Sequence, residues 1–267
     1  MPTNIRARLI PWAAVAVVAL PVMLLADRPT PDKIPATGGD ITIAPINHAT
    51  LQITHATHVI DVDPVAAAGS FEGLAAPTII LITDIHGDHM DAATVAKLRK
   101  PATKIVVPQA VATASKIEGV TVIANGETKT IDGVTIEAVP MYNLTRGPAA
   151  GQLFHDKGRG NGYVITMGGK RIYIAGDTEG VPEMRALKNI DVAFVPMNLP
   201  YTMTPAEAAD AVKAFKPKIV YPYHYRGTSG MSNLDEFTTP LKGSGIDVRI
   251  RDWYAKPGLL SGRSSGK

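Results

Sequence analysis

The chain of 267 residues contains no cysteine, which excludes disulfides, a thiol nucleophile, iron–sulfur ligation and every Cys-rich zinc site. Any metal must therefore be held by His, Asp, Glu or Asn. Histidine is scarce, with seven in all, and aromatic residues make up 6%. Charge of one sign is also lacking. The net charge of +3 falls to +1 (3 − 2) once Arg6 and Arg8 are set aside, and no dense basic stripe is present. Nucleic acid is therefore not expected as a partner. What remains is a 45% apolar composition, that of an ordinary globular core, in a length suited to one large α/β domain.

One long apolar run exists, from Leu9 to Ala26 behind Arg6 and Arg8. Its charged start and hydrophobic centre are those of an export signal, and Pro11 and Pro21 make it a poor spanning helix. Residues 1–26 are expected to direct the chain to the periplasm or outside. The alternative is an uncleaved anchor that attaches the chain to the membrane. Residues 27–40, rich in Pro and polar groups, read as linker, 41–257 as the functional domain and 258–267 as a flexible tail.

The most informative segment is Thr83 to His89, TDIHGDH, directly behind the β-branched run Pro77 to Ile82. A buried strand ends there and a loop opens to solvent, the usual place for reactive groups in layered α/β folds. Two of the seven histidines stand beside two aspartates within six positions. Imidazole and carboxylate together form a donor set for zinc, manganese or iron. Asp84 and His86 alternate as one pair, and Asp88 and His89 follow Gly87, so a single loop can serve two adjacent metals.

Strands are predicted at 41–46, 51–54, 58–62, 78–82, 104–107, 120–123, 128–131 and 134–139, with helices at 91–98 and 109–115. The second half repeats the plan, with strands at 163–167, 171–174, 192–195, 219–221 and 248–250 and helices at 181–187, 205–214 and 234–241. Thr204, Pro205 and Glu207 form a capping box for one of these helices. Periodicity alone supports mixed α/β.

The loop resembles the HxHxDH signature of the metallo-β-lactamase superfamily, with Asp84 standing where the first histidine usually stands. YIAGDT (Tyr173 to Thr178) is similar to the family's strand and turn carrying the aspartate that bridges two metals, here Asp177. VYPYHY (Val220 to Tyr225) is similar to its last ligand strand, ending in His224. NLPYTMTPAEAA from Asn198, with HYRG, resembles the ascorbate-6-phosphate lactonase-like branch, and the likeness runs from about Ile43 to Ile250.

The resemblance implies a four-layer αββα sandwich with its ligand loops at one edge. It also implies two divalent ions, one held by Asp84 and His86, the other by Asp88, His89 and His224, with Asp177 between them. Asp88 also takes the role of proton carrier. The third ligand of the first site is expected to be His155 in preference to Asn143, because imidazole is the better donor. A carboxylate at position 84 makes that site harder, favouring manganese or iron over zinc without excluding zinc.

His48 resembles a histidine that approaches the metals from the first hairpin, and Tyr201 and Arg226 are further candidates for substrate contact. Lys157 and Arg159 could add to a cationic rim, although solvated charges are the plainer reading of both; His55 and His58 read as strand-surface residues. The expected activity is hydrolysis of an ester, lactone or phosphodiester of a small, anionic molecule by metal-activated water. A mononuclear iron oxidoreductase on the same fold and a non-catalytic binding protein are the alternatives.

Overall fold

The computed structural model describes residues 29–254. The leader expected at 1–26 and the tail at 258–267 lie outside the described residues, and no described helix is long and apolar enough to cross a membrane.

Seven strands form the first sheet in chain order: β1 (Asp32–Ile34), β2 (Ile41–Asn47), β3 (Thr50–His55), β4 (His58–Val62), β5 (Ile79–Leu81), β6 (Lys104–Val107) and β7 (Val120–Val122). The first four run antiparallel as a meander. From β4 onward the pairs are parallel. Helices α1 (Ala92–Leu98) and α2 (Gln109–Ala114) make the crossovers from β5 to β6 and from β6 to β7.

The second sheet repeats this scheme with β8 (Thr128–Ile131), β9 (Val134–Met141), β10 (Gly160–Met167) and β11 (Lys170–Ile174) antiparallel, then β12 (Val192–Pro196), β13 (Ile219–Tyr223) and β16 (Asp247–Val248) parallel. Its crossovers carry α3 (Pro182–Arg185), α4 (Pro205–Phe215) and α5 (Leu234–Leu241), and a small hairpin of β14 (Arg226–Gly227) and β15 (Gly230–Met231) precedes α5.

Alternation along β5 shows why four layers form. Ile79 and Leu81 point into the core shared with the second sheet, while Ile80 and Ile82 point the other way and pack with Val95 of α1 and Val111 of α2. A strand buried on both faces must be apolar throughout, which is what the run before the metal loop shows. On the far side Tyr173 of β11 meets Phe215 of α4, ring centres 5.9 Å apart. The expected αββα sandwich is therefore the observed one, and Thr204 and Glu207 cap α4 as predicted.

Several boundaries differ. The segment read as linker contains β1, whose Asp32 accepts hydrogen bonds from Tyr221 and Arg249 and so ties the edge strand to the second sheet. Strand β10 begins at Gly160, three residues before the prediction, because Gly160 and Gly162 allow close backbone approach rather than a turn. A Cβ at Gly160 would stand 2.9 Å from the Thr83 carbonyl oxygen, and one at Gly162 2.9 Å from that of Ala175. The last strand lies slightly earlier than expected, at Asp247–Val248. His55 is buried, with Nε2 3.0 Å from the Thr37 carbonyl oxygen, so it is a packed residue and not a surface one.

Candidate metal centre

The loop after β5 is held from below by Asp63, at the end of β4. Its carboxylate accepts from the Thr83 amide (2.7 Å) and the Thr83 hydroxyl (2.7 Å), and its Oδ2 lies 2.8 Å from His89 Nδ1. A carboxylate only accepts, so the His89 Nδ1 proton faces Asp63 and Nε2 faces the centre. This carboxylate–histidine arrangement is the usual support of a metal-ligating imidazole. Asp63 has φ 46°, a left-handed conformation that aspartate tolerates better than most residues.

Two groups of donors carry most of the expected ligands, beside a third made of His48, Asp88 and His224. In the first, Asp84, His86 and His155 place ligand atoms within 4.8 Å of one another, and in the second His89, Asp177 and His224 do the same. Asp177 connects them: Oδ2 lies 3.4 Å from His155 Nε2 and 3.5 Å from His89 Nε2, and Oδ1 lies 3.1 Å from His224 Nε2. Asp88 Oδ2 stands 3.5 Å from His224 Nε2 and 3.3 Å from His48 Nε2. All seven expected ligands thus converge. They come from four chain segments that two sheets bring to one edge.

His155 occupies the first group and Asn143 stands behind it. Asn143 Oδ1 accepts from the His155 amide (2.8 Å) and lies 2.7 Å from His155 Nδ1, so the ring's other nitrogen, Nε2, is turned inward. That Nε2 is buried without a hydrogen-bond partner, as is Asp177 Oδ1. An unprotonated imidazole nitrogen set against a carboxylate 3.4 Å away is an arrangement of two acceptors. A cation between them is what the donor set fits.

The electrostatics agree. Burial lowers the His89 imidazole, but Asp177, Asp63 and Asp88 outweigh it and raise it well above its ordinary value. A divalent ion meets the same field. Burial raises the Asp84 carboxyl, yet the His86 hydrogen bond and the charges of His89 and Arg159 hold it at about 2. Asp88 and Asp177 are held well below the usual carboxylate range, their burial overcome by the neighbouring imidazoles. At His224 burial wins and lowers the ring.

A cavity of about 300 Å³ opens onto both groups, lined by His86, Asp88, Phe154, His155, Asp177, Asn198 and Tyr201. Tyr201 therefore lies where substrate contact was expected, its ring 5.0 Å from Phe154. His48 approaches the centre from the first hairpin, as the resemblance implied, whereas Arg226 stands apart from the cavity. His48 bridges Tyr254 Oη (2.8 Å) and Asp88, supporting a ligand, and Arg226 lies over the Tyr254 ring at 4.8 Å. Neither lines the cavity. The rest of the cationic rim is absent too: Lys157 pairs with Glu183 (2.6 Å) and Arg159 with Asp84.

Sequence reasoning missed Asp63, Glu179 and Asn198. Glu179 accepts from the amides of Leu144, Thr145 and Arg146, fixing the loop that begins with Asn143. Asn198 Oδ1 accepts from Thr202 Oγ1 (2.7 Å), which turns its amide nitrogen towards Asp177 (3.5 Å) and His224 (3.3 Å). Glu179 follows the GDT turn and could have been suspected from that position. The partners of Asp63 lie 20 and 26 residues on, and nothing local announces them.

Residues 42–224 match the family described as Beta-lactamase superfamily domain. The chain is 36% identical over 228 residues to a UPF0173 metal-dependent hydrolase of Thermococcus onnurineus, covering 80% of this chain and 96% of the relative. A relative of the same description from Pyrococcus abyssi is 34% identical over 227 residues, with 80% and 95% covered. A solved structure from Parabacteroides distasonis, described as a metal-dependent hydrolase, has 43% identity and a TM-score of 0.76, over 84% of this chain and 99% of that one. The fold extends to a metallo hydrolase of Ignicoccus hospitalis at 23% identity and a TM-score of 0.66, over 79% and 94%. The chain is a metal-dependent hydrolase of the metallo-β-lactamase superfamily and belongs to its UPF0173 family.

Proposed function

We propose that the centre takes two divalent ions, zinc or manganese, and hydrolyses a carboxylic ester or lactone of a small molecule. The observation that carries this reading is Asp177, whose Oδ2 lies within 3.5 Å of an imidazole of each donor group and whose Oδ1 faces His224, in the lining of a single cavity. When bound, the ions supply an acidified water and polarise the scissile carbonyl. The protein's own groups do the rest.

Asp88, ionised and 42% exposed at its side chain, is the acceptor for a proton from the attacking water and its donor to the leaving oxygen. His48 holds that carboxylate in place from behind. The Asn198 amide, oriented by Thr202, presents donor hydrogens to the same cavity, where negative charge develops in acyl transfer. Phe154 and Tyr201 form an aromatic wall for a flat or apolar part of the substrate.

An ester or lactone is favoured over a phosphodiester because no cationic side chain lines the cavity among the described residues, and Lys157 and Arg159 are already paired with carboxylates. A screen of aryl esters, lactones and bis-aryl phosphodiesters with the metal-loaded protein tests this. Turnover of lactones or esters at least about tenfold above phosphodiesters is expected, the scale of about 1.4 kcal/mol in barrier height. A clear preference for phosphodiesters overturns the assignment.

A further inference from the structure

We propose that Arg159 is a resident counter-cation of the first donor group, so that Asp84 and Arg159 together replace one neutral imidazole. The proposal rests on the metal-centre reading above. Asp84 is fully buried, and Arg159 bonds both of its oxygens, Nε to Oδ1 at 3.1 Å and Nη2 to Oδ2 at 3.0 Å. Oδ2 is also the oxygen that stands 2.9 Å from His86 Nδ1 and 3.9 Å from His155 Nε2, so the guanidinium and an ion in this group share one carboxylate.

Position and chemistry support the pairing. Arg159 follows His155 by four residues in one loop and directly precedes Gly160, where β10 passes so close to the Thr83 carbonyl that a Cβ would stand 2.9 Å from it. The loop that supplies the imidazole thus also delivers the counter-charge. Guanidinium stays protonated at every accessible pH and matches a carboxylate with two parallel bonds, so it does not withdraw by losing its proton. Where the family resemblance places a histidine, this chain has a carboxylate with a fixed cation, and the local charge is unchanged at zero. A divalent ion bound there remains within a few ångströms of a positive charge in a poorly hydrated site, which weakens its hold.

The consequence is a ladder set by charge. Four proteins test it, stripped of metal and titrated with manganese and with zinc by calorimetry, with metal content measured by mass spectrometry after gel filtration. They are the wild type, Arg159→Gln, Asp84→His and the double variant Asp84→His/Arg159→Gln. First-group affinity is expected to rise about tenfold in Arg159→Gln, fall about tenfold or more in Asp84→His, and return to within about threefold of wild type in the double variant.

A purely orienting Arg159 reverses the first result, because Arg159→Gln then binds more weakly, and this overturns the proposal. Should Arg159→Gln fail to fold without metal, with its buried carboxylate uncompensated, Asp84→His and the double variant decide alone: equal affinities in the two overturn the proposal, and recovery in the double variant upholds it. A wild type that binds no metal overturns the metal-centre reading and this assignment together, whereas normal wild-type binding with an unmoved ladder overturns this assignment only.

Discussion

The two donor groups that share Asp177 are built differently. In the second, His89 and His224 are fully buried, His89 is fixed by Asp63 and Thr83, and Asp88 adds a further carboxylate. In the first, His86 is 44% exposed at its side chain, His155 is held by one amide, and Asp84 already carries a guanidinium. The second group is a preformed, strongly anionic pocket, and the first is charge-balanced and reaches solvent through His86 while Asp84 and His155 stay buried. This difference predicts a tightly held ion beside an exchangeable one, the latter on the side where substrate enters.

Loss of His89 should break the comparison most completely. His89→Ala removes the imidazole facing both Asp177 and His224, and kcat/KM should fall on the order of 10³-fold or more, beyond the roughly 10–100-fold typical of supporting residues. Steady-state kinetics at saturating manganese check this, and near-normal turnover would contradict the role given to the second group.

Asp63→Asn comes next. It keeps the volume under the loop but replaces the anion that fixes the His89 tautomer, so second-group affinity should fall by about 10–100-fold while the first group is little changed. Competition with a chromophoric chelator resolves the two affinities. A smaller, selective effect is expected from Asn143→Ala, about tenfold on the first group, because the backbone bond from the residue 143 amide to the His155 carbonyl oxygen keeps the loop in place while the His155 ring and amide lose their shared side-chain acceptor. His155→Ala should strip that group altogether, and metal analysis of the two variants at equal protein concentration separates ligand from support.

The mildest change supplies a control away from the centre. Asp61, on β4 two residues before Asp63, is also buried, and burial, opposed only by the Gln52 hydrogen bond, raises its carboxyl to about 6. A carboxyl raised on folding contributes stability that is complete below its unfolded value near 4 and is lost as pH rises through about 6. Asp61→Asn should therefore flatten the decline between about pH 4 and 6, by about 3 kcal/mol at most, with metal affinity unaltered. Urea unfolding at several pH values measures the slope.

These contrasts also show what the sequence could disclose. Strands such as β5, apolar on both faces, and the capped helix α4 carry their structure in local pattern, and the TDIHGDH loop declares its chemistry by density of donors. The expected ligands Asp177 and His224 were legible through their motifs, and His155 only through the preference of a metal for imidazole over the Asn143 amide. Their supports were not, because Asp63 to His89 and Asn143 to His155 are contacts between separate segments, each residue ordinary in its own surroundings. The edge strand β1 was hidden for the same reason: three residues in a polar stretch pair only because Ile41, Thr42 and Ile43 offer an open edge. Lys157 and Arg159 read as solvated loop charges, or at most as rim charges, until their carboxylate partners were in place.

The direct test of unequal groups is a manganese titration of metal-free wild-type protein by calorimetry, repeated on His86→Ala and His89→Ala. Two binding events with affinities separated by at least about tenfold are predicted, the scale on which ligand support acts, the weaker missing in His86→Ala and the tighter missing in His89→Ala. A single event, or two of equal affinity lost together in either variant, would contradict the account.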